Sequence, residues 1–159
     1  MNTKKIAVCL LATHLLMAFC FSRIQAADMD FSSPEATFRT YLQACKEGSF
    51  EKSDLCSTKE FQRYQKSNKQ YLSHRHPGQL RNAYNIWANK SYKVEKYGNK
   101  AIMRFGKMFK SPAPIYFVKE HGKWKMDGMF EFRNIIYSSG DNWHWKNPNI
   151  DNEKKWLNK

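Results

Sequence analysis

Acidic residues are scarce in this chain. Only 14 Asp and Glu stand against 27 Lys and Arg, a formal net charge of +13 over 159 residues. The excess runs from Lys46 to Lys159 without gathering into one block, and no nucleic-acid-binding motif accompanies it, so that class of partner is set aside. Diffuse positive charge instead gives solubility and a general attraction to anionic surfaces. Glycine is sparse too, with seven residues, and none builds a phosphate-cradling loop. His-Glu-x-x-His and Gly-x-Ser-x-Gly are missing, as is any second cysteine pair with metal-ligand spacing. No reaction class is signalled, and neither a cofactor nor a metal is expected.

Long apolar runs are absent after the first 21 residues. The one run there, 16 residues over 6–21, follows Lys4 and Lys5 and leads to small residues at Ala26 and Ala27. That order predicts a signal peptide over 1–26 and a periplasmic or secreted protein. A membrane anchor fits less well, because a span needs about 20 apolar residues and His14 interrupts this run. Lipidation at Cys20 is disfavoured by the bulky Phe19 before it. Removing Lys4, Lys5 and Arg23 leaves 24 basic against 14 acidic residues, a net charge of +10. The remainder suits one domain over 27–140, followed by a Trp/Lys-rich extension over 141–159.

Cysteine is nearly absent after cleavage, with Cys45 and Cys56 alone remaining. In an oxidising compartment the simplest expectation is a disulfide between them. Within one straight helix they would stand about 16 Å apart along the axis, so the bond requires a turn, and Gly48 can supply it. Closing that loop would contribute on the order of 2–3 kcal/mol. A redox-active pair lacks the Cys-x-x-Cys spacing.

Ser33-Pro34-Glu35-Ala36 starts a helix with a capping serine, a proline at its first position and an acid near its positive end. Phe38, Tyr41, Leu42 and Cys45 form its apolar stripe, and Gly48 stops it. A short second helix is expected over 49–55. Ser57-Thr58-Lys59-Glu60 reads as a capping box opening a third, towards Leu72, with Phe61 and Tyr64 inward. His74-Arg75-His76-Pro77-Gly78 is a break, and 79–89 reads as a further helix carrying Leu80, Tyr84 and Trp87. Alternation then replaces helical spacing. Tyr92 and Val94 lead to a Gly98-Asn99 turn, and a strand returns from Ala101, with 107–110 as a possible extension. Pro114 to Asp127 form a hairpin about His121-Gly122, and 130–137 reads as a last strand. Helices first and an antiparallel meander afterwards is the α+β pattern, with N-terminal helices packed on the sheet.

Two stretches carry a resemblance. Ser33-Pro34-Glu35-Ala36-Thr37-Phe38-Arg39-Thr40-Tyr41-Leu42-Gln43-Ala44 and the residues up to Phe50 are similar to the opening "SPEATVRAYLEALKAGD" segment of the nuclear-transport-factor-two-like superfamily. Its exported bacterial members are the nearest in kind. Pro114 to Met126 resembles their closing hairpin, "PIYLVKEDGKWKI". The resemblance implies a curved antiparallel sheet wrapped around helices into a SnoaL-like or cystatin-like cone with an internal pocket. It also implies that some relatives are isomerases or cyclases using a pocket carboxylate, and that many dimerise through the sheet.

Candidate binding residues follow from chemistry. Asp127 and Glu131 flank Gly128, and a carboxylate in an apolar cone would have its pKa raised and could act as a base. Tyr64, Tyr84 and Tyr116 are candidate donors, and Trp87 shares a helix face with Tyr84. Trp143, Trp145 and Trp156, interleaved with lysines, could stack on a sugar or an anionic partner, or could instead close over the sheet and complete the core. His74 and His76 alone do not make a metal site and read as a solvated loop. The expected protein is thus an exported, non-enzymatic domain that binds a small apolar ligand or an anionic envelope component, with homodimerisation open. The alternative is a small pocket enzyme of isomerase, cyclase or hydrolase type.

Overall fold

A computed structural model of the chain describes residues 29–73, 75–106, 112–138 and 142–159. The signal peptide expected over 1–26, His74 and the strand extension expected over 107–110 lie outside the described residues. The chain divides into Met1–Asp30, of which only Met29 and Asp30 are described, and Phe31–Lys159, which contains every described helix and strand.

Helix α1 (Pro34–Glu47) begins as its sequence predicts. Ser33 is extended and its Oγ accepts the Ala36 N–H at 3.0 Å, while Pro34 occupies the first turn, where no N–H is needed. Gly48 ends the helix at φ +70°, and a Cβ there would meet Pro77 Cβ at 2.9 Å, so glycine is needed for both conformation and space. Ser49 caps α2 (Phe50–Leu55). Thr58 caps α3 (Lys59–Ser67) by accepting the Phe61 N–H at 3.3 Å. The expected box is therefore shifted by one residue, and Glu60 pairs with Arg133 instead. Nor does α3 run on to Leu72. Asn68 leaves helical geometry and its Oδ1 takes the Tyr71 N–H at 3.0 Å, which starts a separate α4 (Lys69–Ser73). Helix α5 (Pro77–Trp87) starts at its proline, two residues earlier than expected.

Strands β1 (Lys93–Tyr97), β2 (Lys100–Arg104), β3 (Ile115–Glu120) and β4 (Lys123–Met126) form one antiparallel sheet in sequence order. His121 and Gly122 both have positive φ, as a two-residue primed hairpin turn requires. The last expected strand is mostly not a strand. Residues Gly128–Asn134 form helix α6, because Asp127 caps it through the Phe130 N–H at 3.0 Å; only Ile135–Tyr137 is extended, as β5. The alternation of Phe130 and Phe132 that suggested a strand places the two rings on different sides of a helix. β5 pairs with β6 (Trp143–Trp145), and α7 (Asn152–Leu157) closes the chain.

Alternation in β2 and β3 sends side chains to two buried faces. Ala101, Met103, Phe105, Ile115, Phe117 and Trp124 face Phe38 of α1, with Tyr41, Leu42 and Trp87 packed alongside. Ile102 and Tyr116 face the other way, onto Ile135, Trp143 and Trp156, with Phe130, Trp145 and Leu157 around them. The α+β class expected from the sequence is present, with helices on one face of a four-stranded antiparallel sheet. The far face is covered by the chain's own C-terminal segment. Among the described residues, no helix is long and apolar enough to cross a membrane.

The expected Cys45–Cys56 bond is not made: both are free, fully buried thiols. Each has its own partner, Cys56 donating to the Lys52 carbonyl at 3.5 Å and Cys45 sharing a hydrogen bond with Tyr41. Burial pushes the Cys45 thiol up to about 11 and the Cys56 thiol up to about 12.

Candidate functional site

A cavity of about 280 Å³ lies among the helices, beyond the end of β4. Helix α1 contributes Tyr41, α2 contributes Phe50, Ser53 and Asp54, and α3 contributes Phe61 and Gln65, with Ser57 between them. Tyr71, Leu80, Met126, Gly128, Glu131, Phe132 and Tyr137 complete the lining. Of the four-stranded sheet only Met126 takes part, so the space is beside the sheet and not under its centre. The turn into α6 holds this corner open. Gly128 lies against Phe61, and a Cβ there would come within 2.5 Å of the ring. A more open hollow lined by Tyr64, Asn68, Gln70, Tyr71, Gln79 and Phe132 shares Tyr71 and Phe132 with the cavity.

Three polar groups set the chemistry. Glu131 Oε1 accepts the Tyr116 N–H and Oε2 accepts the Tyr137 hydroxyl, both at a long 3.4 Å. Burial pushes its carboxyl up to about 8, the two hydrogen bonds oppose that rise, and the neighbouring Asp127 adds to it. The side chain is therefore a neutral acid through most of the physiological range. Tyr137 is 57 % exposed as a residue, yet its hydroxyl turns in towards Glu131 and is raised by burial first and by that carboxyl second. Gln65 is 5 % exposed; its Nε2 donates to the Tyr71 hydroxyl at 2.6 Å, and its Oε1 has no partner among the described residues. A buried amide oxygen without a donor costs about 1–3 kcal/mol. Asp54, by contrast, has both oxygens 2.9 Å from Arg75 Nη2, and Arg75 lies 4.2 Å above the Phe50 ring.

The residues singled out from sequence separate sharply. Glu131 lines the cavity. Asp127 does not: it caps α6 and its Oδ2 accepts the Trp156 indole N–H at 2.8 Å. Tyr116 is buried in the far-face core and donates to Glu153 at 2.7 Å. Trp87 packs on Phe38 and Phe105, and Trp143 and Trp145 belong to the far-face core, so these rings build the domain. Tyr64 lines the outer hollow, stacked on Phe61 and against Phe132, while Tyr84 is a half-buried side chain of α5 and lines neither space. His76 is exposed, just before α5.

Sequence reasoning missed Tyr41, Ser53, Asp54, Gln65, Tyr71 and Tyr137. One signal was available. Gln65 follows Phe61 by four residues, so a polar amide sits on the apolar side of α3. A comparison with protein-family models, curated proteins and solved structures finds no match to this chain. The class defined by fold and site is thus an α+β domain with a largely apolar cavity that carries a few polar groups.

Proposed function

We propose that this is an exported, non-enzymatic domain that binds a small ligand in the cavity around Glu131. The observation that carries the reading is the unpartnered Gln65 Oε1, in the wall of the same space of about 280 Å³ as a Glu131 carboxyl that has no ion-pair partner among the described residues. An unsatisfied buried polar group lowers stability, and one left open at a cavity wall is expected where a ligand completes its bonding. Phe50, Phe61, Leu80, Met126 and Phe132 give the ligand an apolar contact surface. The wider proposal places the fold among the cone-shaped nuclear-transport-factor-two-like domains, on the resemblance of its first helix and central hairpin. Its basic surface would favour anionic envelope polymers nearby. A homodimer would have to use a surface other than the two covered sheet faces.

A thermal-shift screen of lipids, glycans and metabolites tests this reading. Hits should stabilise the native protein and fail with Ser53→Leu, which fills the cavity. Hits indifferent to that substitution would place binding elsewhere. A second reading has one specific observation in its favour: a raised carboxyl facing a tyrosine hydroxyl is an acid–base pair. In an isomerase or cyclase, Glu131 would shuttle the proton and Tyr137 would donate to the substrate oxygen. Turnover abolished by Glu131→Gln would establish it over simple binding.

A further inference from the structure

Resting on the reading that this cavity holds a ligand, the geometry points to a small organic ammonium as the guest, its N–H groups on Glu131 and Gln65 and its apolar body on the aromatic wall. Tyr41, Phe61, Tyr71 and Phe132 line the cavity, and an aromatic ring attracts a cation through its negative face. The protein already uses this neighbourhood in that way. Arg75 lies 4.2 Å over Phe50 and 5.8 Å from the Tyr71 ring centroid.

The acids divide the work. Asp54 is committed to Arg75, which leaves Glu131 as the acid available to a guest. No lining side chain among the described residues is basic, although the chain carries 27 Lys and Arg. The nearby Arg75 is already neutralised by Asp54, so an anionic guest would meet no free counter-charge in the lining, and a neutral guest would leave the Glu131 carboxyl without a charged partner. Gln65 adds an open acceptor. The groups facing Glu131 are the Tyr116 N–H from β3, the Tyr137 hydroxyl from β5, Tyr41 from α1 and the Asp127 carboxylate before α6. None is cationic. An ammonium N–H would therefore take the place of the proton that Glu131 carries when empty, releasing that proton to solvent. The bond formed is N–H to carboxylate and the bond lost is O–H.

Calorimetry on the native protein with three probes of one shape decides the matter: phenethylammonium, phenethyl alcohol and hydrocinnamate. The cation should bind roughly tenfold more tightly than the alcohol, the scale of one charge-assisted hydrogen bond, and the anion should not compete. Its affinity should rise from about pH 6 to about pH 8, with proton release visible as a buffer-dependent heat. Glu131→Gln should bring the cation down to the alcohol's level. If that variant fails to fold, the probe ranking and proton release on the native protein decide alone. Equal or tighter binding of the alcohol or the anion overturns the ammonium inference. Failure of all three probes while screen hits remain sensitive to Ser53→Leu overturns it and leaves the ligand cavity standing. Failure of both overturns the cavity reading as well.

Discussion

Two half-buried glutamates, one on each of the last two helices, have opposite surroundings. Glu153, on α7, receives both guanidinium nitrogens of Arg104 at 2.9 and 2.7 Å and the Tyr116 hydroxyl at 2.7 Å. Glu131, on α6, receives two long hydrogen bonds and no cation among the described residues. The first fastens the C-terminal segment to the sheet, as does Lys100, which donates to the last carbonyls of α7. The second makes only two long contacts, to β3 and β5. A satisfied polar network explains itself as structure, whereas a half-satisfied one is a place where the fold accepts a cost. On the proposed reading, the far face serves construction and the helical corner ligand recognition.

The largest expected effect breaks the satisfied side. Arg104→Ala leaves Glu153 with only a tyrosine donor, and urea unfolding should show a loss of roughly 2–3 kcal/mol, discounted for partial exposure. A loss within experimental error would show that the network is ornamental. Packing gives the next contrast. Ala101→Leu forces bulk into the fully buried core under α1 and should cost about 2 kcal/mol or more, while Ser53→Leu enters existing space and should cost less than about 1 kcal/mol. Equal costs would mean that the corner is as tightly filled as the sheet.

A smaller and opposite effect is expected at Glu131. Its folded pKa, about 8, lies above the ordinary 4.5, so the folded state holds the proton that the unfolded chain releases. Stability from this group is complete below pH 4.5 and declines as pH rises towards 8. Glu131→Gln should therefore add on the order of 1–2 kcal/mol at neutral pH and flatten that decline in a denaturation series. A destabilised variant would indicate an ion pair not accounted for. The smallest change is Tyr137→Phe, with less than about 0.5 kcal/mol lost because the bond is long and the ring exposed.

The readable parts of the fold were those written locally. Ser33-Pro34 and Gly48 bracket α1, and His121-Gly122 fixes the central hairpin, because caps and two-residue turns need particular residue types within a few positions. Residues 130–137 misled because alternating Phe130 and Phe132 imitate a strand, while the decision lies with one Asp127 hydrogen bond. Asn68 divided a helix whose periodicity ran straight through it. Glu131 could be picked out beside Gly128, but most of the cavity lining around it could not. Tyr41, Gln65, Tyr71 and Tyr137 come from four separate elements and meet only through tertiary packing. The C-terminal tryptophans were legible as a choice between core and surface, and burial of Trp143 and Trp156 at 3 % and 4 % exposure decides for core.

The most direct test is a carboxyl-carbon NMR titration of Glu131 in the unliganded protein. The account predicts a midpoint near 8, moving down when phenethylammonium is added. A midpoint near the ordinary 4.5, unmoved by the amine, would mean that the carboxyl is solvated or paired and that this corner is not a binding site.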